Sequence, residues 1–499
     1  MLKLQNSISG LLALTLTACG TIGLKSEPWV RYSPLLDTKA VNFMQNVPQV
    51  TPHTDTSYDD DGFVIALSVA GGGTRASAFT LGVLDELEEL GLTLPNGEQK
   101  NLLESIDFVS ANSGGAWGIA AYIADRLDHG GATNYKIDQR RDSDIIPRFI
   151  DNTGGSIPDW ASMFSEEITL NKTFGDLASS QQPLPEFFVN ATILPAQVPF
   201  VFTQDYIDYY QIEQFGSNKW TSEEWQTEWN DRQSLDDVPI GYAASISGSV
   251  PPWYYGYANT RVCMDAELKP SSFCNDYLGK NGQMNGLHIV DGGLYDNFGM
   301  NTVVELMSGL NNTPETKRAI IFIDTTTSIQ PHFDANVEGW LTKYSKAKGF
   351  RDSMGFPARD AIYNRLREPF FSALEAETVV LDLYSTANFD IEKDEHLIDD
   401  LTELEDYARA HVSCFSDDRE VLRAHNTWLE RLTFQNESAR TQSDRNGSAD
   451  CLANNYYRTG TAMKTSYFAD ELLFTVTWQL GQLAVRMNQE KIKSALEGQ

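Results

Sequence analysis

The chain has 499 residues, 41 % of them hydrophobic and 11 % aromatic, which supplies a large core or up to three domains and excludes a disordered chain. With 38 Lys and Arg against 69 Asp and Glu the net charge is −31, too few cations to build a basic face for nucleic acid or to draw the body to anionic lipid. A solvated acidic surface of this kind suits a salty or extracytoplasmic setting.

Residues 1–19 read as a lipoprotein signal peptide. Lys3 gives the positive start, 8–16 is a short Leu-rich stretch, and Leu16-Thr17-Ala18-Cys19 follows. Small residues before a cysteine resemble the bacterial lipobox, in which the thiol is acylated and becomes the new N-terminus, so Cys19 is the expected lipidation site. Gly20 in the next position favours the outer membrane by the lipoprotein sorting rule. No later stretch reaches the roughly 18 apolar residues of a spanning helix, so acyl chains are the expected anchor. Residues 20–60 are polar, contain Pro, and read as a tether. Apart from Cys19 the chain holds Cys263, Cys274, Cys414 and Cys451, an even number in an oxidising compartment. Of the three possible pairings the local one, Cys263–Cys274 with Cys414–Cys451, is preferred. There is no CxxC and the His residues do not cluster near the Cys residues, so no metal site is expected.

Order begins near residue 61. The run 63–70 is apolar except for Ser68 and predicts a buried parallel strand. Gly71-Gly72-Gly73 ends it. Over 77–90, Phe79, Val83, Leu84, Leu87 and Leu90 share one helical face, with Asp85, Glu86, Glu88 and Glu89 opposite. A second unit repeats the pattern: strand 106–110, a Gly turn, helix 116–127. Further strands are expected at 187–193, 198–203, 289–290 and 318–324, and helices at 300–310 and 470–496. Strand–turn–helix units of this kind predict an α/β fold with a mostly parallel sheet and helices on both faces.

Three short segments carry chemistry. In Ala111-Asn112-Ser113-Gly114-Gly115 a strand turns sharply into a helix with Ser113 at the apex, the arrangement of a nucleophile elbow. One unit upstream, Gly71-Gly72-Gly73-Thr74-Arg75 frees several backbone N–H groups to converge on one point. Such donors suit an oxyanion, and the spacing lacks both nucleotide-binding glycine patterns. Downstream, Asp291-Gly292-Gly293 follows a strand, and its carboxylate can turn back toward a neighbouring site.

In this order, G-G-G-x-R, a small-x-Ser-x-Gly elbow and D-G-G resemble the patatin-like phospholipases. The segments Phe188-Val189-Asn190-Ala191-Thr192 with Phe200-Val201-Phe202, and 243–252 (A-A-S-I-S-G-S-V-P-P), are similar to two further stretches of that family. Ala76 and Ala111, where the family favours Gly, together with Trp117, look closer to its cytosolic phospholipase A branch. The resemblance implies a three-layer α/β/α catalytic domain over 61–390, with residues 391–499 a helical extension packed on it. It also implies a Ser113–Asp291 dyad with no His between, oxyanion donors among Gly71, Gly72, Gly73 and Gly114, and Arg75 near a head group or buttressing the loop. No cofactor is implied. Membrane lipids are the implied substrates of a phospholipase A- or lysophospholipase-like hydrolase. A non-catalytic lipid-binding envelope lipoprotein, or an acyltransferase or general esterase using the same dyad, remain as other readings. The seven His residues sit in no triad context.

Overall fold

The computed structural model describes residues 48–51, 62–94, 97–129, 137–153, 160–194, 198–210, 212–216, 233–249, 258–262, 288–310, 316–325, 376–383, 386, 395–398, 400–401 and 471–497. The signal segment with Cys19, most of the tether, and Cys263, Cys274, Cys414 and Cys451 lie outside these residues.

The apolar run after the tether is β1 (Phe63–Val69), buried at every position. It feeds α1 (Gly73–Glu89), which is followed by a small antiparallel pair, β2 (Gly91–Thr93) and β3 (Gln99–Asn101). The second unit is β4 (Phe108–Asn112) and α2 (Ser113–Asp128). Then come β5 (Glu186–Leu194), β6 (Val198–Val201), β7 (Ile212–Gly216) and α3 (Ile240–Ser247). Next are β8 (Ala258–Val262), β9 (His288–Asp291), α4 (Met300–Gly309), β10 (Lys317–Asp324), β11 (Ala376–Asp382) and α5 (Glu471–Glu497).

The main sheet has the order β11-β10-β1-β4-β5-β9-β8-β7, with β6 also on β5. From β11 to β5 every pairing is parallel. Beyond β5 the pairings with β6, β9, β8 and β7 are antiparallel. Helix α1 packs between α5 and α2, α2 packs also on α3, α5 lies along β10 and β11, and α4 packs on β1 and β4. The result is the expected three-layer α/β/α arrangement around a sheet whose centre is parallel. The crossovers leave the turns after β1 and β4 side by side at the carboxyl ends of the strands, where open α/β sheets hold their ligands.

The acidic face of α1 is covered as well as its apolar one. Asp85, Glu86 and Glu88 are buried, and only Glu89 of the acidic row is exposed. The reason is α5, which lies on α1 so closely that a methyl at Gly82 would overlap Trp478 O. Burial is tolerated because the carboxylates are paired. Asp85 Oδ2 accepts from Trp478 Nε1 at 2.8 Å and Gln482 Nε2 at 2.9 Å. Arg486 meets Glu86 at 2.9 Å, and Arg126 meets Glu88 at 3.0 Å.

Candidate active site

Ser113 is the first residue of α2 and has φ 48°, left-handed backbone on a non-glycine residue. Such strain persists only where the surroundings over-determine it, and three contacts do so here. The Ser113 N–H donates to Ser247 Oγ at 2.8 Å, and Ser247 Oγ in turn donates to Asn190 O at 2.6 Å, which ties the turn to α3 and β5. Ser77 Oγ donates to Gly114 O at 2.7 Å, tying it to α1. The glycine loop closes the remaining side. A methyl at Gly114 would overlap Gly73 O, and one at Gly115 would sit 2.5 Å from Ala70 O. Small residues after Ser113 are therefore required by the approach of two backbones.

The glycine loop lies directly against the serine. The β-carbon position of Gly71 is 2.9 Å from Ser113 Cβ. The Gly71 N–H donates to Asn297 O at 2.9 Å, and Gly71 O accepts from Thr325 Oγ1 at 2.9 Å. Gly73 turns the chain into α1 with φ 63°. Arg75 is buried, and its Nη2 is 3.1 Å from the β-carbon position of Gly72, so its guanidinium packs under the loop.

Asp291 reaches the same point from the antiparallel half of the sheet. Strand β9 runs opposite to β5, with Asp291 beside Ala191, one residue on from the Asn112–Asn190 pair. The carboxylate is 5 % exposed. Oδ1 accepts from Gly293 N–H at 2.7 Å. Oδ2 is buried and accepts no hydrogen bond of ordinary geometry among the described residues. Desolvation pushes the Asp291 carboxyl up to about 7, against the smaller lowering effects of the Gly293 N–H and the Ser113 hydroxyl. The Ser113 hydroxyl is thus close enough to the carboxylate to act on its titration. A methyl at Gly292 would overlap Asn112 Oδ1, so a larger residue after Asp291 would push into the strand that carries the elbow.

The structure therefore brings together Ser113, Asp291, Gly71, Gly72, Gly73 and Gly114, with Arg75 beneath. The chemistry this geometry permits is acyl transfer: a hydroxyl on a tight turn, a buried carboxylate poised near neutrality, and backbone donors next to both. His129, at the far end of α2, has its Nδ1 2.8 Å from Asp125 O and is about 24 Å along the helix from Ser113. Asp125, His129 and Asp144 also lie close together there, but Arg140 and Arg148 face the same carboxylates. A cavity of about 590 Å3 lined by Ile106, Phe174, Leu184, Phe187 and Leu235 opens at the starts of β4 and β5 and includes none of the site residues.

Three residues around the site carried no role in the sequence reading: Ser247, Asn297 and Thr325. Ser247 lies within a segment that resembled a family motif, and Asn297 lies four residues beyond the Asp-Gly-Gly motif. Thr325 follows a plain apolar strand and has no local signal at all.

The patatin-like phospholipase family model matches residues 67–304. Residues 67–304 are a patatin-like domain. All the residues of the site except Thr325 lie within that match. Among solved structures, human GIVD cytosolic phospholipase A2 is similar at 12 % identity, covering 92 % of this chain and 62 % of that one, with a TM-score of 0.40. The same human enzyme in complex with methyl gamma-linolenyl fluorophosphonate gives 13 % identity, the same coverage and a TM-score of 0.39. VipD from Legionella pneumophila gives 12 % identity over 85 % of this chain and 92 % of that one, with a TM-score of 0.23. The chain thus spans less than two thirds of the human enzyme's length. No curated protein matches it.

Proposed function

We propose that this patatin-like protein is a lipid acyl hydrolase that cleaves carboxylic esters through a Ser113–Asp291 dyad. The observation that carries this is the meeting of a strained Ser113, a buried Asp291 raised to about 7, and the Gly71–Gly73 loop at one point. Ser113 Oγ attacks the ester carbonyl as its proton passes to Asp291 Oδ2. The oxyanion formed on the carbonyl oxygen is held by backbone N–H groups of Gly72 and Gly73, with Gly114 N–H beside them. Collapse expels the alcohol, which takes the proton from Asp291 and leaves an acyl-serine. Water, deprotonated by Asp291, then releases the fatty acid, and the proton returns to Ser113. An ordinary Asp, with a pKa of about 3.9, is a poor base for a hydroxyl. Desolvation makes Asp291 a better one, and the oxyanion donors supply the largest share of the barrier lowering. Arg75 supports the loop from below.

The dyad is tested with a fluorophosphonate probe and a fluorogenic fatty-acyl ester on protein lacking residues 1–19. Labelling of the wild type, lost in Ser113→Ala, with hydrolysis lost in Asp291→Asn, is expected. A folded wild type that neither labels nor hydrolyses refutes the reading. The lipobox-like Leu16-Thr17-Ala18-Cys19 supports a lipid anchor in the cell envelope, with membrane phospholipids or lysophospholipids as substrate. Cys19→Ser should move the protein from the membrane to the soluble fraction, and unchanged membrane association would remove lipidation as the tether.

A further inference from the structure

We propose that Thr325 is a positioning residue that locks the direction of the oxyanion-hole peptide; the inference rests on the hydrolase reading above. Thr325 follows β10 directly and is fully buried. Its placement is fixed by the ladder: Val69 pairs with Ile323, and Ala70 N–H donates to Ile323 O at 3.0 Å, so Thr325 arrives level with the glycine loop. Its hydroxyl has one proton and two carbonyls in reach, Gly71 O at 2.9 Å and Ala70 O at 3.4 Å. The shorter contact takes the proton.

A trans peptide is planar, so its C=O and the following N–H point in opposite directions. Holding Gly71 O toward Thr325 therefore turns the Gly72 N–H away from Thr325. The two sides of the loop are distinct. The β-carbon position of Gly72 is 3.1 Å from Thr325 Oγ1, whereas that of Gly71 is 2.9 Å from Ser113 Cβ. The Gly72 N–H thus faces the serine side, where an oxyanion forms.

The lock is needed because the loop is glycine. Glycine crosses between backbone conformations at little cost, and the 71–72 peptide flips by a paired rotation about its two flanking bonds. The flipped peptide would aim a carbonyl oxygen at the developing negative charge in place of a donor. Gly71 N–H is already tied to Asn297 O, which fixes the loop on the Asn297 side and leaves the 71–72 peptide to Thr325. In the flipped state the fully buried Thr325 hydroxyl would lose its shorter acceptor, which penalises that state.

The test compares Thr325→Val, which keeps the shape and removes the hydroxyl, with Thr325→Ser, which keeps the hydroxyl. Losing one oxyanion donor outright costs about 100- to 1,000-fold in kcat. Loss of the lock leaves the donor correctly placed part of the time, so about a 10- to 100-fold fall in kcat with KM within about twofold is expected for Thr325→Val. Thr325→Ser should stay within about threefold of wild type. The rate of fluorophosphonate labelling, which also builds negative charge on an oxygen in the hole, should fall in parallel with kcat. Should Thr325→Val fail to fold, Thr325→Ala and Thr325→Ser both lack the methyl and differ by the hydroxyl alone. Unchanged kcat and labelling in the hydroxyl-free variant, or equal losses in it and in Thr325→Ser, overturn the inference. Either result with Ser113→Ala still inactive leaves the hydrolase reading standing, whereas activity surviving in Ser113→Ala removes that reading itself.

Discussion

The charge state of Asp291 ties activity and stability to pH in opposite senses. Its carboxyl is raised from 3.8 to about 7, chiefly by desolvation. A base must be ionised, so kcat/KM should rise about tenfold per pH unit from pH 5 and level off near 7, with about 1 % of the plateau at pH 5. A carboxylate at its usual value would give a flat profile over that range. Stability runs the other way. The native state holds the proton more tightly than the unfolded chain does, so this contribution is complete below about pH 4 and is lost as pH rises to about 7. At about 1.4 kcal/mol per pH unit, that window corresponds to about 4 kcal/mol at most. Asp291→Asn, which cannot ionise, should therefore be inactive and more stable than wild type at pH 8, by an amount that vanishes near pH 4. A pH–rate profile with a soluble ester and urea unfolding of both proteins at pH 4, 6 and 8 supply the measurements. A flat kcat/KM between pH 5 and 8, or an equal stability difference at all three pH values, would refute the desolvated-base argument.

Three further outcomes are expected. Asp85, also raised to about 7 chiefly by burial and opposed by its bond from Trp478, loses stability over the same window. Asp85→Asn keeps an acceptor for Trp478 and Gln482 and should raise the urea midpoint at pH 8 while leaving ester hydrolysis unchanged. Gly82→Ala should lower Tm in calorimetry, with a cost of about 1–3 kcal/mol, because the added methyl would overlap Trp478 O. Gly309→Ala, at the end of a helix and with nothing among the described residues within 4 Å of the added methyl, should raise stability by up to about 1 kcal/mol.

The site was legible where its parts are local. A strand, a glycine turn and a helix can be read from alternating composition, and both such units, with Asp291 at the end of a strand, stand close to where the sequence put them. Contacts between distant segments were not legible. Thr325 meets Gly71 across 254 positions, and nothing in its neighbourhood marks it. Strand β11 was missed because Ala376, Glu377 and Thr378 dilute its apolar residues at the end of the sheet formed by the described residues. The burial of the acidic face of α1 was hidden for a related reason. A row of carboxylates reads as solvent-facing unless the partners supplied by α5 are known, and those lie almost 400 positions later.

That separation has a consequence for the order of assembly. Asp85 and Trp478 are 393 positions apart, so α1 can satisfy its buried carboxylate only after nearly the whole chain is available. Contacts of such sequence separation are slow to form. Until α5 docks, the helix that begins in the glycine loop lacks the donors that α5 brings to its acidic seam. On the hydrolase reading proposed above, acyl chemistry would wait on a helix 393 positions away from Asp85 in the chain.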